Sequence, residues 1–150
     1  MKKMVITVIS LILFTFLCFS FLHLFIPYLW LKTDQAFHRG RYDTAIEYLS
    51  LICFIQPHNS EGYIIKAWLE WSIAKSELSN GLPYKKNLSK AIKTYKKGQK
   101  NNPDDWRLYY EEGIMWDAFG EKEKALKLYY ISSDMGAPVK KFKNKKEGGL

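Results

Sequence analysis

Acidic residues are missing from the first 31 positions of this 150-residue chain, because all 15 Asp and Glu residues come later. Lys2 and Lys3 are the only Lys or Arg residues in the same stretch. A surface in contact with water carries charged side chains at a much higher density. The composition therefore excludes an ordinary soluble surface for residues 1–31, although the whole chain has a net charge of +8.

Motifs that mark catalytic or metal sites are missing too. The sequence contains no H-E-x-x-H, no phosphate-binding glycine motif and no nucleophile elbow, and His23, His38 and His58 are far apart. The two cysteines, Cys18 and Cys53, form no C-x-x-C and do not indicate a disulfide framework. We therefore expect a protein that is not an enzyme and that binds no cofactor or metal ion.

Alternating runs of β-branched residues, which would indicate strands, are also lacking. After the first 31 positions the apolar residues instead recur every three or four places, which is the period of an α-helix. Asp104 and Asp105 precede Trp106, where carboxylates are predicted to cap a helix and not to form a catalytic pair. The prediction is an all-α fold.

One long apolar run is present. Residues 5–26 carry no formal charge, and sixteen of these 22 residues are Val, Ile, Leu or Phe. A helix of this length spans roughly 33 Å, enough for a hydrocarbon core of about 30 Å. We expect residues 1–31 to form a transmembrane signal-anchor helix; cleavage or lipidation at Cys18 is the alternative, which the missing cleavage pattern disfavours. Lys2 and Lys3 favour a cytoplasmic amino terminus, with the soluble domain on the exported side.

Small residues and prolines repeat along the rest of the chain. Gly40 separates two apolar helical faces, and Pro57 closes the second of them. The interval from Ala45 to Pro57 is twelve residues, and the interval from Ala91 to Pro103 is the same. A third unit holds small and aromatic residues at helical intervals: Gly113, Trp116, Gly120, Ala125 and Tyr129.

This pattern resembles the tetratricopeptide repeat (TPR), a helix-turn-helix unit of about 34 residues. The resemblance implies an N-terminal transmembrane helix followed by a short α-solenoid of about three TPR-like helical hairpins. Residues 32–138 would form the repeat domain, with an insertion at about residues 76–87 that its turn-forming residues predict to be a surface loop. Residues 139–150 would form a basic C-terminal tail.

The resemblance also implies a partner-binding groove on the leading helices of the repeats. The expected function is a single-pass membrane scaffold that docks a partner protein near the bilayer, in the assembly of a membrane or envelope complex. A permanent structural subunit of a membrane complex is the alternative. Members of the family that clamp a carboxylate use Lys, Asn and Arg, of which only Arg107 is matched here, so we expect no such clamp. By the family's pattern the groove residues are Ile64, Trp68, Trp71, Arg107, Tyr110, Ile114 and Asp117.

A row of lysines occupies one face of the helix predicted over residues 88–100, because its members are three or four residues apart. A second alternative function is binding of an anionic lipid or a nucleic acid by this face, although nucleic acid is not an expected partner. A solvated face, partly neutralised by acids of the next hairpin, is the simpler interpretation. The lysine row consists of Lys86, Lys90, Lys93, Lys97 and Lys100.

Overall fold

The structure of the protein, a computed structural model, describes residues 2–138; the side chains of residues 2–6, 8 and 18–23 lie outside this description. Within these limits the chain forms six α-helices and no β-strand, so the predicted all-α fold is confirmed. The helices are α1 (Lys2–His38), α2 (Tyr42–Ile55), α3 (Ser60–Ser79), α4 (Lys85–Asn101), α5 (Trp106–Ala118) and α6 (Lys122–Asp134).

The first helix, α1, contains 37 residues and continues through Pro27. Proline has no backbone N–H to donate to the carbonyl four residues earlier, so the helix lacks one hydrogen bond at this point. Among the residues described, we find no helix with the length and apolar character needed to cross a membrane. Cys18 and His23 have side chains outside the described set, and the predicted tail, residues 139–150, lies outside it altogether.

The turns between the early helices lie where the sequence predicts them. α1 ends before Gly40, whose φ of +68° is in the left-handed region that glycine adopts without strain. The backbone N–H of Arg41 bonds back to the carbonyl of Ala36 over 2.9 Å, which closes the helix end. α2 ends two residues before Pro57, as expected for a proline that cannot continue the helix.

The described residues divide into two compact units, one over residues 2–52 and one over residues 53–138. In the second unit α3 packs on α4 and α5 packs on α6, and α5 also contacts both α3 and α4. Two buried tyrosines provide the largest side chains of its core. The core cluster consists of Cys53, Tyr63, Ala67, Ala91, Tyr95, Leu108 and Met115.

Two glycines allow the helices of this unit to approach closely. A Cβ atom on Gly98 of α4 would lie 2.8 Å from Cδ2 of Leu108 and 2.9 Å from Cβ of Tyr63. A Cβ atom on Gly113 of α5 would lie 2.6 Å from Cε1 of Tyr129. All three distances are shorter than van der Waals contact, so only glycine fits these two positions without displacing a neighbour.

The predicted surface loop over residues 76–87 is wrong for most of its length. α3 continues to Ser79 and α4 begins at Lys85, so residues 80–84 alone connect them. The extra residues lengthen the hairpin: α3 has 20 residues where α5 has 13, and α4 has 17 where α6 has 13.

Tertiary contacts explain why these residues are helical. Asn87 donates from Nδ2 to Oε1 of Glu77 over 2.7 Å, which joins the added turn of α3 to α4. Tyr84 stacks on Phe119 at the end of α5, with ring centroids 6.0 Å apart. These tertiary contacts outweigh the local preference of residues 76–87 for a turn. Such contacts cannot be predicted from residues that are close together in the sequence.

Candidate functional site

The seven residues assigned to a groove lie on α3 and α5, two helices that contact each other. At one end the two helices are joined by a long ion pair, in which Nη1 of Arg107 on α5 lies 3.4 Å from Oε2 of Glu61 on α3. We call the side chains on these two helices the α3/α5 surface. Its members from the sequence analysis are Ile64, Trp68, Trp71, Arg107, Tyr110, Ile114 and Asp117.

On α3, the three groove candidates differ in exposure. Trp68 is 40% exposed, which is high for a tryptophan in a folded unit. Trp71 meets it edge to face, with ring centroids 6.3 Å apart. Trp71 and Ile64 are both half-buried and pack against the core cluster. Much of the surface of these two side chains therefore contributes to folding, and Trp68 presents the largest apolar area to a ligand.

On α5, Tyr110 is half-buried among other aromatic rings. Its ring lies 6.1 Å from that of Trp106 and 5.4 Å from that of Tyr129, measured between centroids. Ile114 is half-buried as well, whereas Asp117 is exposed. The aromatic contacts fix the orientation of Tyr110, so its exposed part is presented by a rigid support.

Arg107 is exposed, but its charge is engaged by a neighbouring carboxylate. Its Nη2 donates to Oδ2 of Asp105 over 2.6 Å, and its Nε donates to Oδ1 over 3.0 Å. The same carboxylate caps α5, because Oδ1 accepts the backbone N–H of Arg107 over 3.1 Å. The predicted capping role of Asp105 is therefore confirmed. These donors, Arg107 first among them, lower the pKa of Asp105 to about 2.

The electrostatic balance of the α3/α5 surface is slightly acidic. The exposed charged side chains of the two helices are Glu61, Arg107 and Asp117, which leaves one negative charge in excess. Burial raises the pKa of Glu111, and the negative charge of Glu61 raises it further. A partner segment with an apolar side chain and little negative charge would fit this combination best.

An open cleft of about 1240 Å³ lies between the turns that precede α3 and α5, lined by residues 55–61 and 101–107. Hydrogen bonds cross from one turn to the other. Nδ1 of His58 donates to the carbonyl of Asn101 over 2.8 Å, and Nδ2 of Asn102 donates to the carbonyl of Pro57 over 3.3 Å. The polar groups of the turns thus satisfy one another and hold the two hairpins together.

All five members of the lysine row are exposed on α4. None of its five members forms an ion pair with a carboxylate in the described part of the chain. Lys96, which lies outside the row, pairs with Glu112 over 2.9 Å. Direct neutralisation by the next hairpin, one of the interpretations from the sequence, therefore concerns Lys96 and not the row.

Two buried carboxylates were not identified as such from the sequence. Glu112 is 2% exposed and accepts from Lys96, from Gln99 over 2.7 Å and from Trp116 over 3.3 Å. Glu70 is 3% exposed and accepts from Thr94 over 2.7 Å.

The helical spacing of both carboxylates from apolar residues could have predicted their burial. Glu112 shares a face with the buried Leu108 and Met115, four residues before it and three after it. Glu70 likewise follows the buried Ala67 by three residues. Thr94, Lys96 and Gln99 all lie on α4, so these carboxylates fasten α3 and α5 to α4.

No known protein family has a model that matches this chain, and no curated protein matches it. Within the described residues there is no group of three or more His, Cys, Asp or Glu side chains that could hold a metal ion. Residues 2–138 form an all-helical fold, and on α3, α4 and α5 the exposed features are the aromatic α3/α5 surface and the lysine row.

Proposed function

We propose that the chain is a single-pass membrane protein whose TPR-like hairpins dock a partner protein near the bilayer on the exported side. The hairpins would be the end of α1 with α2, α3 with α4, and α5 with α6. Burial at equivalent positions supports this repeat: each small residue and the bulky residue four places later are at most 7% exposed. The three pairs are Ala45 with Leu49, Ala91 with Tyr95, and Ala125 with Tyr129.

The membrane anchor is proposed from residues 5–26. Summed over its sixteen large apolar residues, insertion is favoured by roughly 7 kcal/mol. The described side chains in this part of α1 support the proposal, because eight of the large apolar ones are more than half exposed, whereas Phe25 is half-buried and Ile26 is buried at the end of the stretch. The eight exposed residues are Ile9, Leu11, Ile12, Leu13, Phe14, Phe16, Leu17 and Leu24.

The docking role is carried chiefly by one observation, the 40% exposure of Trp68 beside Trp71 on a helix that contacts α5. A large aromatic side chain on a rigid support is the type of residue that contributes most to binding energy at protein interfaces. The described residues of this surface offer no nucleophile and base in contact, so we assign it to binding. Function would then arise from holding a partner near the membrane.

The test compares two variants that remove equally exposed apolar side chains. Trp68→Ala changes the α3/α5 surface, whereas Leu126→Ala changes α6, where Leu126 is also 40% exposed. Each tagged full-length chain is crosslinked in native membranes, and the protein recovered with it is quantified. We expect Trp68→Ala to lose at least about tenfold of the crosslinked partner, because it removes an aromatic anchor.

The control variant, Leu126→Ala, should recover the same partner in the same amount as the unmodified chain. Circular dichroism should show equal helicity for both variants. Equal recovery by Trp68→Ala and by the unmodified chain would reject the α3/α5 surface as the docking site. Loss of the partner by both variants would point to a different face of the protein.

A further inference from the structure

Every exposed side chain of α4 is a lysine or a serine. The 17-residue helix contains seven lysines and no Asp, Glu or Arg. Beside the lysine row, its exposed residues are Lys85, Lys96 and Ser89. At about 1.5 Å per residue, the row from Lys86 to Lys100 is roughly 21 Å long. No other helix in the described part of the chain carries as many charges of one sign without a charge of the opposite sign.

The arrangement opposes the stability of the helix itself. Lys85 and Lys86 lie in the first turn of α4, where the helix dipole is positive and favours acidic residues. Members of the lysine row are three or four residues apart, so like charges face each other along the helix. No ion pair offsets these repulsions, because no member of the row contacts a carboxylate in the described part of the chain.

We infer that the lysine row binds the anionic headgroups of a phospholipid bilayer. This inference rests on the proposed function, because the anchor of that proposal keeps the row close to a membrane and so raises its effective concentration there. Headgroup binding requires exposed positive charge without a shaped pocket, and each lysine near an anionic surface strengthens it roughly fivefold. The exposed lysines of α4 supply this charge.

Other anionic partners would need features that this face lacks. Single-stranded nucleic acid is held by aromatic rings on which bases stack, and the aromatic residue of α4, Tyr95, is fully buried. Bidentate hydrogen bonding to a single phosphate or carboxylate requires the guanidinium group of arginine, and α4 contains no arginine. An acidic protein partner would bind best around an apolar or aromatic anchor, and none of the exposed residues of α4 provides one.

The experiment distinguishes binding by the lysine row from insertion of the anchor, because the anchor is inserted in one membrane and the row is offered a second one. The full-length chain is loaded into nanodiscs of phosphatidylcholine, which occupy the anchor. Binding of the loaded discs is then measured to vesicles of phosphatidylcholine alone or mixed with phosphatidylglycerol. We expect binding to the mixed vesicles only, and its loss when salt rises from about 0.1 M to about 1 M, because the screening length falls from about 10 Å to about 3 Å.

Two double variants with equal net charge identify the face that binds. Lys93→Gln with Lys97→Gln changes the row, whereas Lys122→Gln with Lys127→Gln changes exposed lysines of α6. We expect the first to weaken vesicle binding about 25-fold and the second to leave it nearly unchanged. Residues 139–150 are the same in both variants, so the comparison isolates α4.

Three outcomes would overturn the inference. The loaded discs would fail to distinguish the two vesicle types, or the two double variants would weaken binding equally, or polyglutamate or an oligonucleotide would bind more tightly than phosphatidylglycerol at equal charge concentration. A chain that does not enter the discs would contradict the anchor of the proposed function instead. Its direct binding to the same vesicles would then test the row.

Discussion

At Gly113 the backbone of α5 lies against the ring of Tyr129 on α6. Tyr129 is 7% exposed and its ring also contacts that of Tyr110, so it has little room to move. The repeat pattern predicts a small residue at this position, and the nearby ring of Tyr129 is the structural reason for it. Close approach at this residue is what allows α5 and α6 to bury their apolar faces together.

We expect Gly113→Ala to destabilise the protein. Alanine favours a helix over glycine by about 1 kcal/mol, but the added Cβ would lie 2.6 Å from Cε1 of Tyr129. Overpacking of this kind costs on the order of 1 to 3 kcal/mol, so the clash should exceed the helical gain. Urea unfolding of the full chain measures the difference. The exposed Ser89→Ala should stay within about 0.5 kcal/mol, and a stabilised Gly113→Ala would contradict the close contact.

At the scale of the element, α4 combines a buried face that the fold needs with an exposed face whose charges oppose it. Ala91 and Tyr95 are fully buried, and Gly98 meets Leu108 and Tyr63. The energy gained by this burial outweighs the repulsion among the lysines, since each like-charged pair on a helix costs only a few tenths of a kcal/mol.

The position of a charge within α4 should decide its effect on stability. Lys86→Glu places a carboxylate in the first turn, where it interacts favourably with the helix dipole, whereas Lys100→Glu places one in the last turn, where it does not. Both variants change the net charge equally and relieve lysine repulsion. We expect Lys86→Glu to be more stable than Lys100→Glu by about 1 kcal/mol in urea unfolding at low salt. The opposite order would show that the dipole does not govern this helix.

At the scale of the whole molecule, the proposed anchor should determine where the chain is found. Phe14→Lys with Leu17→Lys puts two charges near the middle of residues 5–26, where each costs about 2.5 to 3.5 kcal/mol. Together they remove most of the roughly 7 kcal/mol that favours insertion. We expect this double variant to be released from membranes by alkaline carbonate, while the unmodified chain stays in the pellet.

Lysines near the end of the apolar stretch provide the matched control. Tyr28→Lys with Leu31→Lys adds the same charge at exposed positions, where a lysine side chain can reach the headgroups. This variant should remain in the membrane pellet. If the unmodified chain were itself released by carbonate, the membrane part of the proposed function would be rejected.

The candidate site shows how far sequence patterns extend toward function. Family resemblance assigned Ile64, Trp68 and Trp71 to one groove, but the first and last of these pack on the core cluster. A periodic pattern states which residues share a helix face; it does not state which neighbouring helix covers that face. The exposed fraction of each tryptophan therefore could not be predicted from the sequence pattern.

The sequence by itself determined the all-α fold, the turns at Gly40 and Pro57 and the cap at Asp105, because backbone conformation and local hydrogen bonding depend on residues close together along the chain. Only the tertiary structure decided that residues 76–79 and 85–87 are helical, that Arg107 of α5 contacts Glu61 of α3, and that the lysine row lacks a carboxylate partner in the described chain. These features depend on contacts between helices, whose energies exceed local preferences and are not encoded in any short stretch of residues.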